Sequence, residues 1–522
     1  MVHALSEAAR GERGVTLVGP DDAEQFRSYA ELERGARRRA LALRQRLGLE
    51  RGDRVVVILN TSFEFIEVFF GVLIAGGVPV PAYPPLAMAR LEGYLDLLAH
   101  IATLTRARLV VTDAAIGATL GTLYTRCPRL ERIVEARRLE AQSAQLDLGA
   151  PRPESTCFIQ CTSGSTSTPK AVVLSHRALV ANIAATVEAF ELADDDVYVS
   201  WAPLYHDMGL IGALLGAIVQ GIPLVLIPPD RFVLDPGCWW RAISRHRGTV
   251  TAAPNFAYGL TARRLDAAEI AQLDLRCLRI ALCGAEPIQP ATVRAFCEAM
   301  APAGLSPRAF YPAYGLAESC VAVTLSRPGD GLRTEHISRD ALARGPIPRA
   351  VPAPPGRGSL EAVSVGRPVG GTRVRVVDAW GRDLPDRRVG ELWVESPSLM
   401  TGYLDAPRAT AGVMVGNALR SGDLGYRVGE ELFVVGRLKN MLIVRGRNYY
   451  AEDIEHAAER VPGVRRGNAV AYGVYDEARG QDELHVVAET RLRRPEQRQQ
   501  LQAHIRAAVS RAEWPARLQR LR

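Results

Sequence analysis

Lysine is almost missing from this chain: of its 64 lysines plus arginines only Lys170 and Lys439 are lysines. A position that keeps lysine where arginine serves elsewhere asks for a compact ammonium on a flexible stem rather than a planar fork. Cysteine is sparse too. The eight cysteines in 522 residues form no CxxC pair and have no nearby histidines at zinc spacing, which excludes a disulfide framework and a zinc ribbon and leads to the expectation of reduced thiols. Cys157 and Cys161, the closest pair, would share one face of a strand and read as small core residues. Residues 1–30 contain no charged-then-apolar leader, so a cytoplasmic protein is expected. The one stretch of membrane-spanning length, "MGLIGALLGAIVQGIPLVLIPP" at 208–229, is split by Gly221 and Pro223 into a helix of about three turns and a strand. That pattern belongs inside an α/β domain, not in a bilayer.

A net charge of +7, with the local clusters "RRG" at 465–467 and "RLRR" at 491–494, raises the question of nucleic acid. No aromatic-interleaved basic stripe and no zinc-finger, RRM or KH signature accompanies the charge, so it reads as a solvated arginine surface. Such a surface also suits an acidic protein partner.

What the chain does have is length, 48% hydrophobic residues, and a regular alternation. Short apolar runs at 53–59, 107–113, 157–162, 223–227, 248–253 and 278–284 alternate with longer amphipathic segments, which predicts mostly parallel, buried sheets covered by helices. Residues 345–358, "GPIPRAVPAPPGRG", cannot form a helix or a central strand and read as a surface insertion. Beyond them, strand-like runs broken by turn signals predict a small antiparallel unit. The expectation is a large α/β domain over 1–435 and a small α+β domain over 436–522.

The strand "CFIQCT" runs into Thr162, Ser163, Gly164, Ser165 and Thr166, and then Lys170. Small hydroxyl residues and glycine let backbone N–H groups approach phosphate oxygens, although the spacing is not that of a P-loop NTPase. Here the chain resembles the adenylate-forming, AMP-binding superfamily, whose phosphate loop is close to "TSGSTGTPKG" and stands here as "TSGSTSTPKA". "YPAYGLAES" at 311–319, "RSGDLGY" at 420–426 and "GRLKNMLIVRGRNYYAEDIE" at 436–455 match further motifs in the same order. Within the superfamily, "VSWAPLYHDMGLIG" at 199–212 and "CGAEPI" at 283–288 look most like the fatty-acyl-AMP ligases. The insertion at 345–358 lies where those ligases carry a distinguishing segment.

The resemblance implies ATP and Mg²⁺ as cofactors and a long-chain fatty acid as substrate. It also implies transfer to an acyl carrier protein or to the carrier domain of a polyketide or peptide synthase; acyl-CoA synthesis is the lesser alternative. Thr162, Ser163, Gly164, Ser165, Thr166 and Lys170 would hold the β- and γ-phosphates, and Glu318 would bind the metal. Gly284, Ala285 and Glu286, with Tyr314 and Gly315, would wall the adenine pocket. Asp423, assisted by Arg437, would accept hydrogen bonds from the ribose hydroxyls. His206 would stand beside the substrate carboxylate. Trp201, Met208, Leu210, Ile211 and Phe256 are candidates for the alkyl tunnel, with ordinary core packing as the alternative for each.

Lys439 falls at the position of the family hinge between large and small domains. The family carries one more lysine, in a "PxTxxGKxxR"-like motif near its carboxyl terminus, which touches the carboxylate and α-phosphate during adenylation. This chain has no lysine after Lys439 and ends on "AVSRAEWPARLQRLR". The expectation is therefore a shortened small domain and, as the alternative function, a relative that binds ATP and fatty acid but adenylates slowly.

Overall fold

The computed structural model describes residues 1–85, 91–141, 151–162, 169–345, 347–356, 358–444, 447–476 and 481–511. The chain divides into two compact units. The first comprises Met1–Leu332, Pro368–Thr372 and Glu395–Leu419; the second comprises Arg333–Arg367, Arg373–Val394 and Arg420–Arg522.

In the first unit the apolar runs form parallel sheets, as their continuous hydrophobicity predicts. One sheet places six parallel strands side by side in the order Phe310–Tyr314, Ile280–Cys283, Val250–Ala253, Tyr198–Ser200, Leu224–Leu226 and Gly14–Val18, and Glu24–Ser28 closes its edge antiparallel. Helices Gly237–His246, Asn255–Arg264 and Pro290–Met300 send Trp239, Trp240, Tyr258 and Phe296 into one aromatic cluster with this sheet. A second parallel sheet orders Val78–Pro81, Arg54–Ile58, Leu109–Thr112 and Arg132–Glu135. A three-stranded antiparallel ribbon, Gly402–Tyr403, Lys170–Ser175 and Thr156–Thr162, completes the unit.

The segment 208–229 lies inside this unit, although its helix differs from the expected regular α-helix. Met208–Leu215 is a π-helix that continues into the short α-helix Gly216–Gln220 before strand Leu224–Leu226. The wider turns begin where Gly209 lies against the preceding loop, and a Cβ there would stand 2.2 Å from the Pro203 carbonyl oxygen. π-Turns concentrate at functional sites. Among the described residues no helix is long and apolar enough to cross a membrane. All eight cysteines are free thiols.

The second unit is antiparallel in character. Strands Arg373–Val377, Gly390–Glu395 and Ala418–Val428 neighbour one another, with Glu431–Arg437 paired antiparallel to Ala418–Val428. Hairpin Thr334–Ser338 and Ser359–Val363 carries the 345–358 insertion at its tip, where described residues make isolated bridges at Arg349 and Pro352 and backbone hydrogen bonds to His336, Ser338 and Arg387. Further along, helices Ala451–Glu459 and Pro495–Arg511 cover the hairpin Val464–Asp476 and Gln481–Thr490 around a core of their own that includes Ile454, Val486, Leu501 and Ile505.

Candidate active site

Ligands of open parallel sheets bind outside the carboxyl ends of the strands, and four neighbouring strands of the large sheet end on candidate residues. Tyr198–Ser200 leads into Trp201, Val250–Ala253 into Phe256, Ile280–Cys283 into Gly284–Glu286, and Phe310–Tyr314 into Gly315 and Glu318. Backbone geometry explains the glycines. A Cβ on Gly315 would lie 1.6 Å from the Val321 carbonyl oxygen, and one on Gly284 would lie 3.1 Å from the Ala313 carbonyl oxygen. Ala285 is held in the left-handed region at φ 66°, a conformation that costs a side-chain-bearing residue energy and concentrates at functional turns. The Glu286 carboxylate accepts a hydrogen bond from the Phe256 amide, tying this turn to the next strand's loop.

The phosphate-loop candidates sit on the ribbon. Thr162 and Lys170 are register partners in its antiparallel pair; Ser163, Gly164, Ser165 and Thr166 lie outside the described residues. Lys170 places its Nζ 4.6 Å from the centroid of the Tyr403 ring. The Tyr403 hydroxyl donates a 2.7 Å hydrogen bond to Glu318 Oε1. Burial and the adjacent Glu318 carboxylate both push the Tyr403 phenol well above its ordinary pKa, so it remains a donor. Two charged candidates from distant parts of the sequence thus meet through a third residue that the motif reading passed over. Its signal was present but weak, a "GY" dipeptide in the two-residue strand Gly402–Tyr403 that pairs with Val173 and Val172.

His206 is half-exposed, with Nδ1 2.8 Å from Asp207 Oδ1. Burial opposes its protonation, but the hydrogen bond and charge of Asp207 outweigh that and raise the imidazole above its usual pKa. With Nδ1–H given to Asp207, Nε2 is the nitrogen left for another partner. The loop is pinned from the ribbon by Gln160, also missed in the sequence, whose buried amide donates to the Tyr205 carbonyl at 2.9 Å. Beside it Trp201 stacks on Phe232 at 3.8 Å and meets Phe256 edge-on at 6.0 Å. Leu210 and Ile211 are fully buried, Met208 is 8% exposed and Phe256 is 47% exposed. Phe256 is therefore the open member of this apolar group.

In the second unit Asp423 and Arg437 are cross-strand partners. Arg437 Nε donates to Asp423 Oδ1 at 2.6 Å, and Asp423 is 5% exposed. Ser421 Oγ accepts from the Asp423 amide and donates to the Leu392 carbonyl, fixing the turn. Lys439 is exposed on the 3₁₀ turn Leu438–Asn440.

The AMP-binding enzyme family matches residues 5–404. The medium-chain-fatty-acid acyl-carrier-protein ligase JamA of Moorena producens (strain JHB) is 34% identical over 476 residues, 88% of this chain and 80% of that protein. The long-chain-fatty-acid AMP ligase FadD26 of Mycobacterium marinum is 33% identical over 440 residues, 79% of this chain and 73% of that protein. A solved structure among the fatty acyl-adenylate ligases of E. coli and L. pneumophila superimposes with a TM-score of 0.91 at 31% identity, covering 98% of this chain and 91% of that one.

Proposed function

The chain belongs to the AMP-binding enzyme family, and from that premise we propose that it activates a long-chain fatty acid as its acyl-adenylate and passes the acyl group to the thiol of an acyl carrier protein or carrier domain. In the first step a carboxylate oxygen bonds to the α-phosphorus of ATP and the bond to the pyrophosphate oxygen breaks. In the second the thiol sulfur bonds to the acyl carbon, AMP leaves and the thiol proton is released.

The observation that carries this reading is the Lys170–Tyr403–Glu318 group. Adenylation gathers anions, so the site must supply a cation and a metal-binding carboxylate at fixed positions. Lys170 would neutralise the β- and γ-phosphates together with Thr162 and the Ser163–Thr166 loop. Mg²⁺ would supply further neutralisation of phosphate oxygens. The ion would be held by Glu318 with phosphate oxygens and water. Gly284–Glu286, Tyr314 and Gly315 would wall the adenine site, and Asp423, oriented by Arg437, would accept from the ribose hydroxyls. His206 would meet the substrate carboxylate through Nε2, and Phe256 with Trp201 would begin the acyl tunnel. Residues 436–522 would form a small domain that pivots at Lys439, a reading supported by the separate core around Ile454 and Val486.

Offering ATP, Mg²⁺ and laurate with equal amounts of coenzyme A and an acidic holo-carrier protein tests the acceptor. The expected thioester is on the carrier, formed more slowly as salt rises; efficient acyl-CoA formation contradicts it. A relative that binds ATP and fatty acid but adenylates slowly would show binding of both with only weak pyrophosphate exchange.

A further inference from the structure

A cavity of about 510 Å³ opens in the first unit, and none of the candidate residues named above lines it. Its charged lining is Arg51, Arg54 and Arg152, with no Asp or Glu among the described residues that line it. Neither Arg54 nor Arg152 is ion-paired among the described residues; Glu154, next to Arg152, is instead bonded to Arg177. Ser155 and Thr156 add hydroxyls, and Leu73, Val78, Ile159 and Leu404 add an apolar wall. His176 also lines it. That side chain is 7% exposed, its Nδ1 is buried without a hydrogen-bond partner, and burial holds its pKa down to about 4, so it is a neutral polar group.

The hydroxyl end of the cavity, at Ser155 and Thr156, is distinct from the candidate active site, whereas Val173 and Leu404 carry its apolar wall along the ribbon toward Tyr403. Thr156 pairs with Ser175 at one end of the ribbon and Thr162 pairs with Lys170 at the other, and six steps of about 3.3 Å separate the two ends by about 20 Å. Unpaired guanidiniums with hydroxyls recognise tetrahedral oxyanions, and the volume and mixed lining are those of a small-ligand pocket. We infer that this cavity is a binding site for a small organic phosphate, its phosphoryl group held by Arg54 and Arg152 and its apolar part against Leu73, Val78 and Ile159.

Phenyl phosphate, titrated calorimetrically into the full chain, tests this, with phenol and inorganic phosphate as the comparison ligands. Phenyl phosphate is expected to bind, and more tightly than either. Arg54→Gln and Arg152→Gln are each expected to weaken it by about tenfold or more, the effect of losing a charged hydrogen bond. Lys170→Ala should leave it unchanged. Arg152 is exposed and lacks an ion pair, so its replacement probes binding without touching the fold. No binding at millimolar concentration, binding indifferent to Arg152→Gln, loss in Lys170→Ala, or equal affinity for inorganic phosphate overturns the assignment.

Discussion

Tyr403→Phe removes one hydroxyl and leaves the ring beneath Lys170. A hydrogen bond to a charged group contributes about 1.5–3 kcal/mol, so fatty-acid-dependent pyrophosphate exchange should fall by about 10- to 100-fold while the thermal midpoint stays near that of the parent. Tyr403→Ala also removes the cation–π contact, about 0.5–2 kcal/mol, and should be slower still. Wild-type exchange in Tyr403→Phe would remove Tyr403 from the site. His206 gives a pH test. Its folded pKa is raised by Asp207, so the protonated form is present below the ordinary value of about 6.5 and is lost as pH rises through the higher folded value. Exchange should decline along that limb, and Asp207→Asn should move the limb to lower pH. A profile that Asp207→Asn leaves in place means the imidazolium plays no part. Lys170, Glu318 and His206 were legible in the sequence because their motifs hold several unusual residues in a fixed order. Tyr403 and Gln160 did not stand out as candidates, because each touches a candidate or its loop only once folding brings them near.

At the scale of elements, the apolar strands were readable because burial on both faces leaves no polar alternation. Their lateral order was not, since Tyr198–Ser200 lies between Val250–Ala253 and Leu224–Leu226, and Gly14–Val18 lies beside Leu224–Leu226, through side-chain packing that no local pattern encodes. The π-helical start at Met208 was equally invisible, because it depends on Gly209 meeting the carbonyls of Ala202 and Pro203. Asp22 clamps the loop beside strand Gly14–Val18 to helices Pro229–Leu234 and Gly237–His246 through Arg231 and Arg241. The hydrogen bond from Arg241 leads the contacts that hold its carboxyl below the usual range. That contribution is complete above the unfolded value of about 3.9 and is lost as pH falls through the lower folded value. The thermal midpoint should drop on acidification below about pH 4, and Asp22→Asn should flatten that part of the curve; an unchanged curve contradicts the clamp. The turn Leu438–Asn440 has its own test, because a lysine-specific protease has only two sites in this chain. Brief digestion of the native protein should cut after Lys439, and a cut appearing only after denaturation would contradict an accessible hinge.

At the scale of the whole molecule, the family and the α/β class followed from motif order and alternation. The joining of 333–367 and 373–394 with the chain beyond 420 did not, because antiparallel pairing brings distant segments together. The proposed function requires that this chain join a fatty acid to AMP using the cation at Lys170. The most direct measurement is incorporation of radiolabelled pyrophosphate into ATP, with Mg²⁺ and fatty acids of increasing chain length, for the parent chain and for Lys170→Ala. Exchange should require the fatty acid, have a preferred chain length and fall by at least about 10²-fold in the variant, the usual effect of removing a transition-state contact. Absence of exchange at every chain length, or equal exchange in Lys170→Ala, would contradict it.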